Sequence, residues 1–151
     1  MSNHALLVPV LLCITGARCA EDQKVTAKSL VKDAVAYAKA NGVEKLLHEV
    51  NHSKGRFHVQ AEGEPYLFIY DDKGICRAQG VSGGSIVGVN RWGNKDPDGK
   101  SYIQELIKTG LTKGGGWVDY KYLNPKSGQI EAKMSYVEPV NGLIVGCGVY
   151  K

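Results

Sequence analysis

Two basic side chains keep unusual company in this sequence. Arg91 sits in "NRWGNKD", with Trp92 beside it. A guanidinium there can grip a carboxylate through two parallel hydrogen bonds, and the indole offers an apolar wall. Lys133 falls in "KMSYVE", close to Tyr136 and shortly after "GGGWVDYKYLN", which brings Trp117, Tyr120 and Tyr122. A third aromatic group, Tyr66, Phe68 and Tyr70, alternates with Leu67 and Ile69. The hydroxyls of Tyr66 and Tyr70 can serve a ligand oxygen. Aromatic walls around a cation make a site for a small organic anion. The same residue types also build ordinary cores, with a lysine left in solvent, so the pattern admits both readings. The candidate ligand-binding set is Tyr66, Phe68, Tyr70, Arg91, Trp92, Trp117, Tyr120, Lys133 and Tyr136. Strand parity subdivides it: 120 and 122 share a face with 117 opposite, unless the glycines bulge the chain. Lys133 shares a face with Ser135 and Val137, and Tyr136 opposes them.

Other chemistries find little support. The sequence has no nucleophile elbow, no phosphate loop and no evident carboxylate pair, which favours binding over catalysis and predicts a protein that is not an enzyme. "DDKG" lacks the ligand spacing of a calcium loop and its glutamate at the twelfth position. His48 and His52 are four apart but lack a third ligand, so no metal is expected, nor any cofactor. The formal net charge of +4 comes from scattered lysines rather than a basic run. Nucleic acid is therefore not an expected partner.

The elements that would position these residues follow from periodicity. "KVTAKSLVKDAVAYAKAN" carries apolar residues at Val31, Ala34, Val35 and Ala38, the stripe of an amphipathic helix ended by Asn41-Gly42. "VEKLLHEVN" continues it with Val43, Leu46, Leu47 and Val50. Tyr66–Tyr70 and Ile75–Ala78 read as strands around the turn Asp71–Gly74. A Gly/Pro-rich loop, Ser82–Lys100, follows. It is long enough to do more than connect. Asp98 is expected to cap a helix through Tyr102, Ile103, Leu106 and Ile107, with Gly110 at its end. Trp117–Leu123, Glu131–Pro139 and Leu143–Tyr150 complete what reads as a five-stranded meander with one loop-and-helix insert, an α+β layout.

At 151 residues the chain suits one domain. Its apolar stretch Ala5–Gly16 is too short for a membrane span and reads as the core of a signal peptide, although no Lys or Arg precedes it. Cleavage after Cys19 or Ala20 gives a signal peptide 1–19 and a mature domain 20–151, periplasmic or secreted. That leaves Cys76 and Cys147, which in an exported protein are expected to pair as a disulfide. The bridge would close a loop of about 70 residues and stabilise by roughly 4 kcal/mol.

The ordered pieces "PYLFIYDDKGICRAQG", "DPDGKSYIQEL", "GGGWVDYKYLNPKSG" and "KMSYVEPVNGLIVGCGVY" together resemble the single Cache domain, the extracellular sensor module of bacterial chemoreceptors and histidine kinases. The likeness covers essentially the whole mature chain. It implies a PAS-like domain with a long N-terminal helix packed on a central antiparallel sheet of about five strands. It also implies a pocket on the other sheet face for a small metabolite, often a short carboxylate. Membrane sensors of this type carry transmembrane helices on both sides of the domain and an output domain after it. Here the chain ends directly after the last strand, which suggests a stand-alone exported form that works through a membrane receptor or transporter. Gln79 stands where many relatives have a histidine, a departure that bears on ligand preference. The N-terminal helix offers a homodimer surface. The competing reading is a ligand-free interaction module whose pocket is filled by its own side chains.

Overall fold

A computed structural model describes residues 15–60, 63–82 and 86–151. The apolar stretch expected to be a signal peptide lies mostly outside them, and the expected cleavage point falls within the first helix, α1 (Thr15–Asn41). Among the described residues no helix is long and apolar enough to cross a membrane.

Helix α1 and the short α2 (Val43–Asn51) are separated by Gly42, whose φ of 90° breaks the helical path. The chain then forms β1 (Leu67–Tyr70), β2 (Cys76–Gln79), α3 (Tyr102–Lys113), β3 (Gly116–Asn124), β4 (Gln129–Val140) and β5 (Leu143–Tyr150). The five strands make one antiparallel sheet in the order β2-β1-β5-β4-β3. Only β3, β4 and β5 form a continuous meander. The chain leaves one edge at β2 and re-enters at the opposite edge as β3, with α3 on the way. The expected meander, with its one loop-and-helix insert, therefore breaks at that insert, where the chain jumps between sheet edges.

Each sheet face has its own core. On one side α1 buries Ala27, Val31, Ala34, Val35 and Ala38 against Leu67, Ile69, Tyr136, Val145 and Cys147, with Leu46, Leu47 and Val50 of α2 completing the layer. On the other side α3 buries Tyr102, Ile103, Leu106 and Ile107 against Phe68, Tyr70, Val118, Tyr120, Val137 and Ile144. These are the two stripes expected from the sequence. The ends of α3 differ from expectation. Its first flanking residue is Ser101, which makes no side-chain cap, while Asp98 pairs with Lys121 at 2.9 Å instead. The helix runs through Gly110 and ends at Gly114, which takes the left-handed conformation with φ 70°. Gly110 is there for contact: a Cβ would stand 2.6 Å from Ile144 Cδ1.

The expected disulfide is overturned. Cys76 and Cys147 are both buried free thiols. The β1–β2 register slips after Ile69, so that Ile69 faces Ala78 but Tyr70 faces Cys76, leaving Arg77 unmatched. That bulge turns Cys76 onto the α3 face, while Cys147 sits under α1. Two thiols on opposite faces of a sheet cannot meet. Burial pushes the Cys76 thiol up to about 11 and Cys147 up to about 12. Both are therefore inert packing groups at neutral pH.

Candidate functional site

The α3 face of the sheet does not close completely. Between α3 and strands β1, β3 and β4 lies a cavity of about 30 Å³, lined by Tyr66, Phe68, Tyr70, Gln79, Ile86, Tyr102, Ile103, Leu106, Tyr120, Tyr122 and Lys133. One water needs roughly 10–15 Å³ on this measure, so the space suits a molecule of only a few heavy atoms. An outer chamber of about 600 Å³ shares Tyr66, Gln79 and Tyr122 with the cavity. Those three residues therefore stand between the two spaces.

Lys133 is the centre of the site. It lies on β4, opposite Tyr120 of β3 and Tyr150 of β5. Its side chain is only 3% exposed. The amine sits over the rings of Tyr150 at 4.8 Å, Tyr122 at 4.9 Å and Tyr66 at 5.2 Å. Such cation–π contacts partly replace lost water. No carboxylate pairs with it and no hydrogen bond engages its Nζ among the described residues. Desolvation lowers its pKa to about 8.

Strand β5 makes room for this arrangement. A Cβ on Gly148 would stand 2.3 Å from Lys133 Cε and 2.5 Å from Ser135 Oγ. A Cβ on Gly146 would stand 2.3 Å from the Phe68 ring. Both glycines are present for close approach by neighbouring side chains. Gly148→Ala should push the lysine out of its ring cage. We expect a modest stability loss of about 1–3 kcal/mol from overpacking together with loss of anion binding. Unfolding in denaturant and calorimetric titration with acetate measure the two effects.

Arg91 contributes indirectly. The chain after β2 folds back along it, with Gly88 N donating to Cys76 O at 2.7 Å, Cys76 N to Val89 O at 3.0 Å and Arg91 N to Gly74 O at 2.8 Å. This delivers the guanidinium to two tyrosines: Nη1 donates to Tyr122 Oη at 3.1 Å and Nη2 to Tyr102 Oη at 2.9 Å. Asn94, with its amide oxygen turned toward Arg91, accepts from Nε and Nη2 at 2.9 Å. Each tyrosine oxygen therefore already accepts a bond from a cation; the Tyr122 O–H is left to donate elsewhere, while the Tyr102 hydroxyl is also shared with Asn94. Two polarised hydroxyl donors and a buried amine, with no acid to neutralise them, make a seat for an anion. Tyr102 stacks on Tyr120 at 4.9 Å, and Tyr120 Oη shares a 2.8 Å hydrogen bond with Ser135 Oγ, which fixes the back wall.

Of the nine residues expected to bind ligand, Tyr66, Phe68, Tyr70, Tyr120 and Lys133 lie in the cavity wall, and Arg91 stands behind it. Trp92 is exposed on the loop. Trp117 and Tyr136 are on the wrong face: their rings pack 5.3 Å apart in the α1 layer, and Tyr136 donates to Glu138 at 2.6 Å. The candidate set lacks Tyr102, Tyr122 and Gln79, although Gln79 is marked as bearing on ligand preference and Tyr122 is named beside Tyr120. Tyr122 was readable, because it shares strand parity with Tyr120. Tyr102 read only as part of a helical stripe.

A PAS-like antiparallel sheet, helices on both faces and a largely aromatic cavity under one of them have the form of a sensor-type domain. The Single Cache domain 2 family model matches residues 18–151, and the chain belongs to this family. The sensor histidine kinase MctS of Rhizobium johnstonii is 37% identical over 95 residues, a match covering 56% of this chain and 18% of the kinase. The aligned part is thus less than a fifth of that relative. A methyl-accepting chemotaxis protein from Vibrio parahaemolyticus superposes with a TM-score of 0.69 at 19% identity, covering 88% of this chain and 91% of its own. A Cache chemosensory domain described for its carboxylic acid recognition superposes with a TM-score of 0.67 at 21% identity, covering 90% and 98%. At such identities the structural likeness is one of fold.

Proposed function

We propose that this chain is an exported sensor-type protein that binds a short organic carboxylate in the α3-side cavity without transforming it. The observation that carries this reading is Lys133, a buried amine held by three tyrosine rings with no acid beside it. A buried charge of this kind is costly unless something of opposite sign joins it. A carboxylate of about two to four carbons suits the small space. It would accept from Lys133 Nζ and from the Tyr102 and Tyr122 hydroxyls that Arg91 polarises. The structural neighbour described for carboxylic acid recognition supports the same ligand class. In this reading residues 1–19 are a signal peptide, and the mature domain reports to, or delivers ligand to, a membrane receptor or transporter. Pairing of two copies through α1 is compatible with it. Four heavy atoms set a ceiling of about −6 kcal/mol, or tens of micromolar at best.

A thermal-shift screen of the mature domain tests the proposal, using acetate, propionate, amino acids and amines. Ligand binding should raise the Tm with the carboxylates, and Arg91→Ala should remove most of the rise. A response confined to amines, or none to any compound, would reject the carboxylate reading and return weight to a ligand-free interaction module.

A further inference from the structure

Lys133 has a second chemistry open to it. An amine that is nearly excluded from water, lacks an acid to hold it as ammonium, and has its pKa lowered to about 8 is a nucleophile for carbonyl carbon. We propose that the cavity accepts a small 2-oxo acid and that Lys133 Nζ condenses reversibly with its carbonyl to form an imine. This rests on the carboxylate reading, because the Tyr102 and Tyr122 hydroxyls are needed to seat the acid end.

The site separates the two ends of such a ligand. The hydroxyls tied to Arg91 serve the carboxylate, while Lys133 meets ring faces alone, and the fraction of it that is neutral offers a lone pair to the carbonyl carbon. Its stem lies over Gly148, where any side chain would displace it.

In the reaction the neutral amine attacks the carbonyl carbon, and the C=O π pair moves to oxygen, which takes a proton. The nitrogen loses a proton as the carbinolamine forms. Loss of that oxygen as water, with the second nitrogen proton, then gives C=N. One amine and one carbonyl become one imine and one water, with no change of oxidation state. The water leaves past Tyr66, Gln79 and Tyr122 into the outer chamber. Exposed lysines lack the burial that favours the neutral amine and react more slowly.

The test is reductive trapping. The protein is incubated with glyoxylate and cyanoborohydride at about pH 8, and the modified lysines are located by peptide mass spectrometry. We expect one adduct, on Lys133, formed at least about tenfold faster than on any other lysine and suppressed by excess acetate. Lys133→Arg should show no cavity adduct while keeping its fold. Adducts spread over surface lysines with Lys133 unmodified would overturn the proposal. If acetate raises the Tm but Lys133 is not trapped, the imine fails and the carboxylate reading stands. If acetate raises no Tm and Lys133 is not trapped, both fail.

Discussion

Lys133→Met should make the unliganded protein more stable while abolishing its response to carboxylates. The folded protein holds this lysine at a pKa of about 8 against an ordinary value of 10.5. At roughly 1.4 kcal/mol per unit, burying the ammonium costs about 3 kcal/mol at neutral pH. Methionine fills a similar volume without the charge, and losing the ring contacts offsets about 1 kcal/mol of the gain. The net expectation is about 2 kcal/mol, or a Tm higher by roughly 4–8 °C for a chain of this size. The pH dependence has a definite sign. Between about pH 8 and 10.5 the unfolded chain binds more protons at this group, so the parent gains stability as pH rises through that window. The destabilisation is complete below the window, and Lys133→Met should lack the gain. Differential scanning at two pH values checks both parts. A variant no more stable than the parent at neutral pH would mean that the ammonium is already well compensated in the empty protein.

The second large effect concerns affinity. Carboxylate binding requires the ammonium form, so the Kd for acetate should be flat below about pH 8 and rise about tenfold per unit above it. Of the groups facing the amine, Tyr66 and Tyr150 have their hydroxyls pushed upward by burial, and burial also pushes the Cys147 thiol, on the other face of the sheet, up to about 12. Arg91 stays charged throughout. Glu131, in the wall of the larger chamber, is held below the usual carboxylate range by hydrogen bonds from Ser127 and Asn124. Calorimetric titration across this range, in buffers of different ionisation enthalpy, should also show proton uptake on binding above about pH 8. A Kd that does not change through pH 9 would assign recognition to the Arg91-linked tyrosines alone.

Much of this arrangement was readable from residue order. The helical stripe at Val31, Ala34, Val35 and Ala38 and the alternation at Tyr66–Tyr70 reflect periods of 3.6 and 2, which depend on local geometry. The parity argument also set Trp117 and Tyr136 opposite Tyr120 and Lys133, as the structure has them. Including them in the candidate set followed their aromatic character instead of that geometry. The cysteine pairing failed for a different reason. It was inferred from compartment and count, whereas the faces depend on a one-residue slip after Ile69 that no turn residue announces. Tyr102 entered the site because α3 crosses from one sheet edge to the other, a long-range matter that helical periodicity does not carry.

The loop that bears Arg91 is fastened at both borders of the sheet. At β2 it is held through Gly74 and Cys76, and a Cβ on Gly74 would stand 2.9 Å from the Trp92 backbone. At β3 Asp96 accepts from Lys121 N at 3.0 Å with one oxygen, and with the other from Asp98 N at 3.0 Å and Lys100 N at 2.9 Å. A span tied at two ends works as a girder rather than a flap. In the proposed function, ligand would then pass Tyr66 and Tyr122, which line both the cavity and the larger chamber and whose rings also hold the lysine. A molecule entering there would have to turn a ring that is part of its own binding site, and capture and escape would then share the same pair of torsions.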